Sequence, residues 1–345
     1  MLHFQRGVEV IKQDGLNEFI RRGIRYVSLP FWNTISSRYP IGTNVFEKDW
    51  DLLIVLDACR VDSFRTVAES IEWIDNIGQI RSVGSMSAEW MLNTFRQKYA
   101  DKIQRTTYIS ENIWASRIFE DRLHDSDGHY SEIIQRGYPA WHPVIADKFG
   151  HLETLASESD QYEPLHPKGH LPHVVTDRAI SMSREQSPDR MVVHYMLPHG
   201  PFITEDLLWE PNQMSIEELM AGPGIKQDAR LDRLTLQPVK KGKVDVKTIY
   251  NLYLDNIRLA LEYVKILLEN IDAETVFITA DHGEGFGEHG VWNHPFGYPF
   301  SPIRTVPWAT TTANNKRTYT PQYNELNKSI NNEARDKFLQ NMGYM

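Results

Sequence analysis

Three short, continuously apolar runs, each closed by an acidic or histidine-bearing turn, constrain this chain more than any other feature. The first is Leu52-Leu53-Ile54-Val55-Leu56, closed by Asp57. It is far too short to cross a bilayer. It lacks the in-out alternation of a strand with one wet face, so it reads as a strand buried on both faces. Met191-Val192-Val193-His194-Tyr195-Met196 and Thr275-Val276-Phe277-Ile278-Thr279-Ala280 repeat the pattern, and Arg304 to Thr311 is a fourth candidate. Helical stretches separate these runs. Ser87 to Tyr99 opens with Ser87 as a plausible N-cap and Glu89 in the first turn. Val246 to Asn270 carries Ile249, Tyr253, Ile257, Leu261, Val264 and Leu268 as one apolar stripe. The expected fold class is therefore α/β, a mainly parallel sheet sandwiched by helices.

The expected organisation is a helical preface over 1–48, ending at Pro40-Ile41-Gly42-Thr43-Asn44, a catalytic domain over 49–311, and a C-terminal tail over 312–345 with a terminal helix. Residues 142–172 lack periodicity and are expected to form a loop or cap insertion. Phe19 to Tyr39 is aromatic and basic enough to suit a membrane surface, but Pro30 breaks its face, and a helix packed on its own domain is the reading adopted. With 41% hydrophobic residues the chain can fill a core. The 37 basic against 46 acidic residues leave a charge of −9, which argues against coating nucleic acid. Cys59 is the one cysteine, so internal disulfides and Cys-x-x-Cys zinc sites are excluded. The opening residues carry charges throughout and no segment is apolar enough to span a membrane, so a cytoplasmic location is expected. Assembly into a homo-oligomer is compatible with this composition.

In open α/β sheets ligands collect at the carboxyl ends of the strands. Here those ends carry Asp57, the Pro198-His199-Gly200-Pro201 turn, and Asp281-His282-Gly283-Glu284-Gly285. Carboxylate oxygen with imidazole nitrogen suits Mg²⁺, Mn²⁺ or Zn²⁺. Such a cation polarises a phosphoryl or sulfuryl oxygen and lowers the pKa of a bound hydroxyl. Ser87 is the candidate nucleophile, because free N–H groups at a helix start stabilise an anionic ester. Ser85 stays open as an alternative, and plain capping is the structural reading of Ser87. His194 reads as a hydrogen-bonded core residue. His166, His170 and His173 are separated by Pro167, Gly169 and Pro172, so they read as a loop. Glu284 and Glu288 are candidates to orient His282 or His289, and Arg60 to clamp an anion or form a surface ion pair. Cys59 reads as a buried small apolar residue, and Lys240-Lys241-Gly242-Lys243 as a solvated loop.

Leu52 to Arg60, His194 to Phe202, and Thr279-Ala280-Asp281-His282-Gly283-Glu284 with Glu288-His289-Gly290 together resemble the alkaline phosphatase superfamily. The branch they resemble is the sulfatase-like and lipoteichoic-acid-synthase-like one. The ending Lys337 to Tyr344 is similar to the C-terminal helix and close of many sulfatase-like proteins. The resemblance implies a metal held by Asp57, Ser87, Asp281 and His282, with Ser87 as nucleophile. It implies that His199 touches substrate and that His294 serves a second metal or the leaving group. Two-metal relatives carry an Asp four residues before the histidine matched by His199. Tyr195 stands there, which favours one divalent ion (Mg, Mn, Ca or Zn) over two. Sulfatases proper convert the cysteine of a Cys-x-Pro-x-Arg motif to formylglycine; Cys59 lies in the wrong context, and an unmodified serine favours phosphoryl transfer. The implied activity is metal-dependent hydrolysis or transfer of phosphate esters, with sulfate esters second, on a small-molecule or glycan substrate. A non-catalytic relative that binds an anionic glycan is the alternative of a different class, and a sugar phosphomutase a further one.

Overall fold

The computed structural model describes residues 31, 34–120, 141, 143–155, 172–200, 202, 236–240, 242 and 244–321. His166, His170, Lys241, Lys243, most of the preface and the Lys337–Tyr344 close lie outside them. Seven strands form one sheet in the order β2-β7-β6-β1-β5-β3-β4. They are β1 (Leu52–Leu56), β2 (Asn76–Arg81), β3 (Thr106–Ser110), β4 (His151–Thr154), β5 (Arg190–Tyr195), β6 (Ala273–Thr279) and β7 (Thr305–Ala313). β1 pairs in parallel with β5 on one side and β6 on the other, and β3 continues in parallel to β4. β7 runs antiparallel to both β6 and β2.

The three apolar runs are the centre of this sheet, and every residue of β1 is buried. Its side chains alternate between two cores. Leu52, Ile54 and Leu56 meet α1 (Val61–Ala68), α4 (Pro172–Gln186) and the long α5 (Val246–Leu268), whereas Leu53 and Val55 meet α2 (Ser87–Thr94) and α3 (Ile113–Phe119). Helices on both faces explain why the central strands are apolar throughout. The expected fourth strand is β7, and its antiparallel direction was not foreseen. β2, β3 and β4 were not anticipated. β2 lies at an edge and has no buried residue, and β4, only four residues long, lies inside the stretch expected to be a loop or cap. Among the described residues no helix is long and apolar enough to cross a membrane.

One buried ion pair fixes α2 to the loop before β7. Glu89 is fully buried and accepts from Arg304 Nη2 at 2.7 Å, from the Ser85 amide at 2.8 Å and hydroxyl at 2.7 Å, and from the Gly297 amide at 3.2 Å. Ser36 donates to it as well. Burial pushes its carboxyl up, but Arg304 and these donors more than offset that and hold it below its ordinary value of 4.5. Glu89→Gln leaves the guanidinium buried without its counter-charge, so a loss of about 3 kcal/mol in a urea melt at pH 7 is expected. A carboxyl held low in the folded state stabilises fully above its unfolded value, and that contribution drains as pH falls through the folded value. The gap between wild type and Glu89→Gln should therefore narrow in acid below about pH 4.5.

Candidate functional site

The register of the central strands assembles the site. β1 lies between β5 and β6, and Val55 pairs with His194 on one side and Thr279 on the other. Side chains two residues apart share a face, so Asp57 follows Val55 to the same side as His194. Asp281 arrives two residues after the end of β6. One ligand atom from each of Asp57, His194 and Asp281 lies within 4.8 Å of the others, and all three residues are buried.

Among the described residues, each of these groups is oriented by one atom and open at the other. Asp57 Oδ2 accepts from Asn112 Nδ2 at 2.6 Å and Ser87 Oγ at 3.1 Å, while Oδ1 has no hydrogen-bond partner. Asp281 Oδ1 accepts from the amides of His282 at 2.8 Å and Ala58 at 3.1 Å, while Oδ2 has none. His194 Nδ1 bonds the Tyr108 hydroxyl at 2.8 Å, and Nε2 is unpartnered, 3.9 Å from Asp57 Oδ2 and 3.8 Å from Asp281 Oδ2. His282 Nδ1 donates to the Gly283 carbonyl at 2.9 Å. Its Nε2 therefore turns a lone pair inward, 3.3 Å from Ser87 Oγ, 3.3 Å from Asp281 Oδ2 and 3.6 Å from Asp57 Oδ1.

The electrostatics are those of a cation site. Burial, and then the Asp281 charge, push the Asp57 carboxyl well above the usual carboxylate range. Burial lowers His194 to about 4, with Asp281 opposing. Burial and then His294 take His282 well below its ordinary value. Both imidazoles are thus neutral at pH 7 and able to offer nitrogen lone pairs. Orphaned buried polar atoms are rare and call for a partner; Asp57, His194 and Asp281 each offer a ligand atom within 4.8 Å of the others, a spacing that a shared divalent cation would satisfy. Two carboxylates and two imidazoles suit Zn²⁺ or Mn²⁺. The residues present fit such an ion.

The helix N-cap is Met86, with no side-chain cap, and Ser87 is the first residue of α2. This corrects the capping reading of Ser87: its hydroxyl is not spent on the helix and faces Asp57 and His282. α2 also stops at Thr94, and Gln97–Tyr99 form a separate 3₁₀ turn. Ser85 points elsewhere. Its one hydroxyl proton is shared between Glu89 at 2.7 Å and the Pro295 carbonyl at 2.8 Å, and its oxygen accepts from the Tyr298 amide at 3.1 Å.

His294 stands beside this cluster, its ring centroid 4.4 Å from His282 and 5.0 Å from His199. Its Nδ1 lies 3.1 Å from Glu284 Oε2. Burial lowers the His294 pKa, but Glu284 overcomes this and holds it above its ordinary value. Glu284 therefore serves His294, not His282 or His289. Glu288 pairs with Arg60 and accepts from the Phe286 amide at 2.8 Å, and the His289 ring meets Phe300 edge-on at 5.2 Å. Arg60 is buried and engaged by Asp62, Glu288 and the Glu284 carbonyl, which removes it as an anion clamp. Cys59 is fully buried, with its thiol pushed up by burial.

Three members of this cluster escaped sequence reasoning. His194 was read as a core residue; its strand parity with Asp57 would have placed it, had the pairing been known. Tyr108 and Asn112 belong to β3 and the turn after it. The signal there was the run Thr106-Thr107-Tyr108-Ile109-Ser110, rich in β-branched residues and followed by polar Glu111-Asn112.

No family model matches the chain, and no curated protein does. Solved structures do. The soluble domain of lipooligosaccharide phosphoethanolamine transferase A from Neisseria meningitidis is 15% identical, with a TM-score of 0.43 and 77% of each chain covered. The C-terminal periplasmic domain of EcEptC from Escherichia coli, a complex with Zn, is 10% identical, with a TM-score of 0.39, covering 81% of this chain and 77% of that one. A putative sulfatase from Bacteroides thetaiotaomicron is 10% identical, with a TM-score of 0.42, covering 79% of this chain and 65% of that one. These neighbours belong to the sulfatase-like branch of the alkaline phosphatase superfamily. That is the superfamily the strand-end motifs resemble. The functional reading below stands on this chain's own geometry.

The cytoplasmic expectation is corrected. The similar EcEptC domain from Escherichia coli is periplasmic, and a run of charges with no spanning helix does not place a chain in the cytoplasm.

Proposed function

We propose that the chain is a metal-dependent phosphoric ester hydrolase or phosphotransferase with Ser87 as nucleophile. The observation that carries this reading is that buried Asp57, His194 and Asp281 bring ligand atoms within 4.8 Å of one another, beside the hydroxyl of Ser87, which donates to Asp57 from a helix start. Asp57, Asp281, His282 and Ser87 would hold the ion, with His194 as a further nitrogen donor. When bound, the cation supplies Lewis-acid chemistry and eases ionisation of a hydroxyl.

Ser87 Oγ attacks phosphorus, and its proton leaves along the hydrogen bond to Asp57 Oδ2. Backbone N–H groups of the first turn of α2 stabilise charge on the equatorial oxygens. His199 binds an ester oxygen. His294, whose protonated form Glu284 favours, donates its proton to the departing oxygen. Water or an acceptor alcohol then gives its proton to His294 and takes the phosphoryl group, while Asp57 returns its proton to the departing Ser87 oxygen, which restores all three residues.

The test is an ester panel after chelation and reloading with Zn²⁺, Mn²⁺ or Mg²⁺. Turnover of p-nitrophenyl or bis-p-nitrophenyl phosphate is expected in the reloaded protein alone. Turnover of p-nitrophenyl sulfate instead would move the reading to sulfate esters, and cation binding without turnover of any ester would sink the catalytic reading. His294→Ala carries a separate expectation. An alkyl phosphate, which needs its leaving oxygen protonated, should lose about 10²–10⁴-fold in kcat/KM. The p-nitrophenyl ester, whose leaving group departs unprotonated, should lose far less.

A further inference from the structure

The turn that carries Asp57 out of β1 adopts an unfavourable backbone shape. Ala58 has φ of 60°, the left-handed region that a residue with a Cβ avoids. The turn matters because the Ala58 amide reaches Asp281 Oδ1 at 3.1 Å, across 223 residues of sequence, and so turns Oδ2 toward the candidate cation position. One side chain from α5 spans this turn. The Tyr253 hydroxyl donates to the Ala58 carbonyl at 2.7 Å and accepts from the Arg60 amide at 2.8 Å. Tyr253 is fully buried. Its ring also meets Phe286, in the loop after Asp281, at 5.0 Å, and Phe202, in the loop after His199, at 6.0 Å. A single residue thus touches the loops that follow β1, β5 and β6.

The geometry points to Tyr253 as the positioning residue that holds Asp57 and Asp281 in register for a divalent cation. This rests on the metal reading proposed above. With the hydroxyl removed, the Ala58 carbonyl and the Arg60 amide lose their partner. The turn then relaxes from its left-handed shape, and the Ala58 amide moves off Asp281. Nothing else in the ring packing changes, so Tyr253→Phe separates the hydroxyl from the core.

The test is the affinity of the full chain for Zn²⁺ and for Mn²⁺ by calorimetric titration, without an activity readout. Tyr253→Phe is expected to raise Kd by about 10–100-fold, the usual effect of losing a group that orients metal ligands. Tyr250→Phe is the control. It removes a hydroxyl of the same aromatic cluster, one that meets Ser63 Oγ at 2.9 Å away from the turn, and should leave Kd unchanged. Ala58→Gly in the Tyr253→Phe background should recover affinity, because glycine takes a positive φ freely. A Tyr253→Phe Kd within about threefold of wild type would overturn the inference, against the 10-fold minimum expected. Equal weakening by Tyr250→Phe, no recovery by Ala58→Gly, or a Tyr253→Phe chain that fails to fold despite its retained ring would each do the same. A wild-type chain that binds neither cation overturns the metal reading itself, an outcome distinct from binding that Tyr253→Phe leaves intact.

Discussion

Ser87→Ala should reduce turnover of p-nitrophenyl phosphate by about 10³–10⁶-fold, the range seen when a nucleophile that acts as part of a unit is deleted. The cation should still bind, because Asp57, Asp281, His282 and His194 keep their positions and Asn112 still holds Asp57 Oδ2 at 2.6 Å. Steady-state kinetics on reloaded protein, with calorimetric Kd beside it, checks both halves. Ser85→Ala gives the contrast. Its hydroxyl serves Glu89, Pro295 and Tyr298, so the expected cost is stability with catalysis largely kept. The reverse pattern, activity lost at Ser85 and kept at Ser87, would end the assignment of the nucleophile.

Asp57→Asn should have two large effects of opposite sign. In chelator-treated protein the variant should be more stable than wild type, by about 1–3 kcal/mol in a urea melt. Two carboxylates buried without a cation repel, and burial alone disfavours each charge. An asparagine oxygen still accepts from Asn112 and Ser87, and its amide takes the place of Oδ1, 3.6 Å from the lone pair of His282 Nε2. With Zn²⁺ added, wild type should rise in stability and Asp57→Asn should hardly respond. A metal-free variant less stable than wild type would mean that the carboxylates are not under the strain inferred.

The central strands were legible because burial on both faces leaves an unbroken apolar run, and β1, β5 and β6 carry such runs. β2 and β4 were not, since edge strands mix polar and apolar residues like loops do. β3 was missed for a different reason. Its threonines are buried beside β5 and β4, a setting that depends on distant strands and that composition cannot carry. The same limit applied to the site. Asp57, Asp281 and His282 stood out as strand-end side chains, but His194 and Asn112 join them only through the neighbour relations of β1, β5 and β3. Ser87 was picked out for helix-start chemistry, yet the structure makes it the first helical residue and not the cap.

The donor atoms come from β1, α2, β5 and the turn after β6, segments that have no reason to meet until the sheet is complete. An unfolded chain offers no comparable chelate, so occupancy of this centre acts on the intact protein alone. By mass action, free cation at a hundredfold excess over its Kd would add about 2.7 kcal/mol to stability. The ambient supply of the ion would then set the lifetime of the protein as well as its turnover, and scarcity would deplete the pool of intact molecules along with their activity.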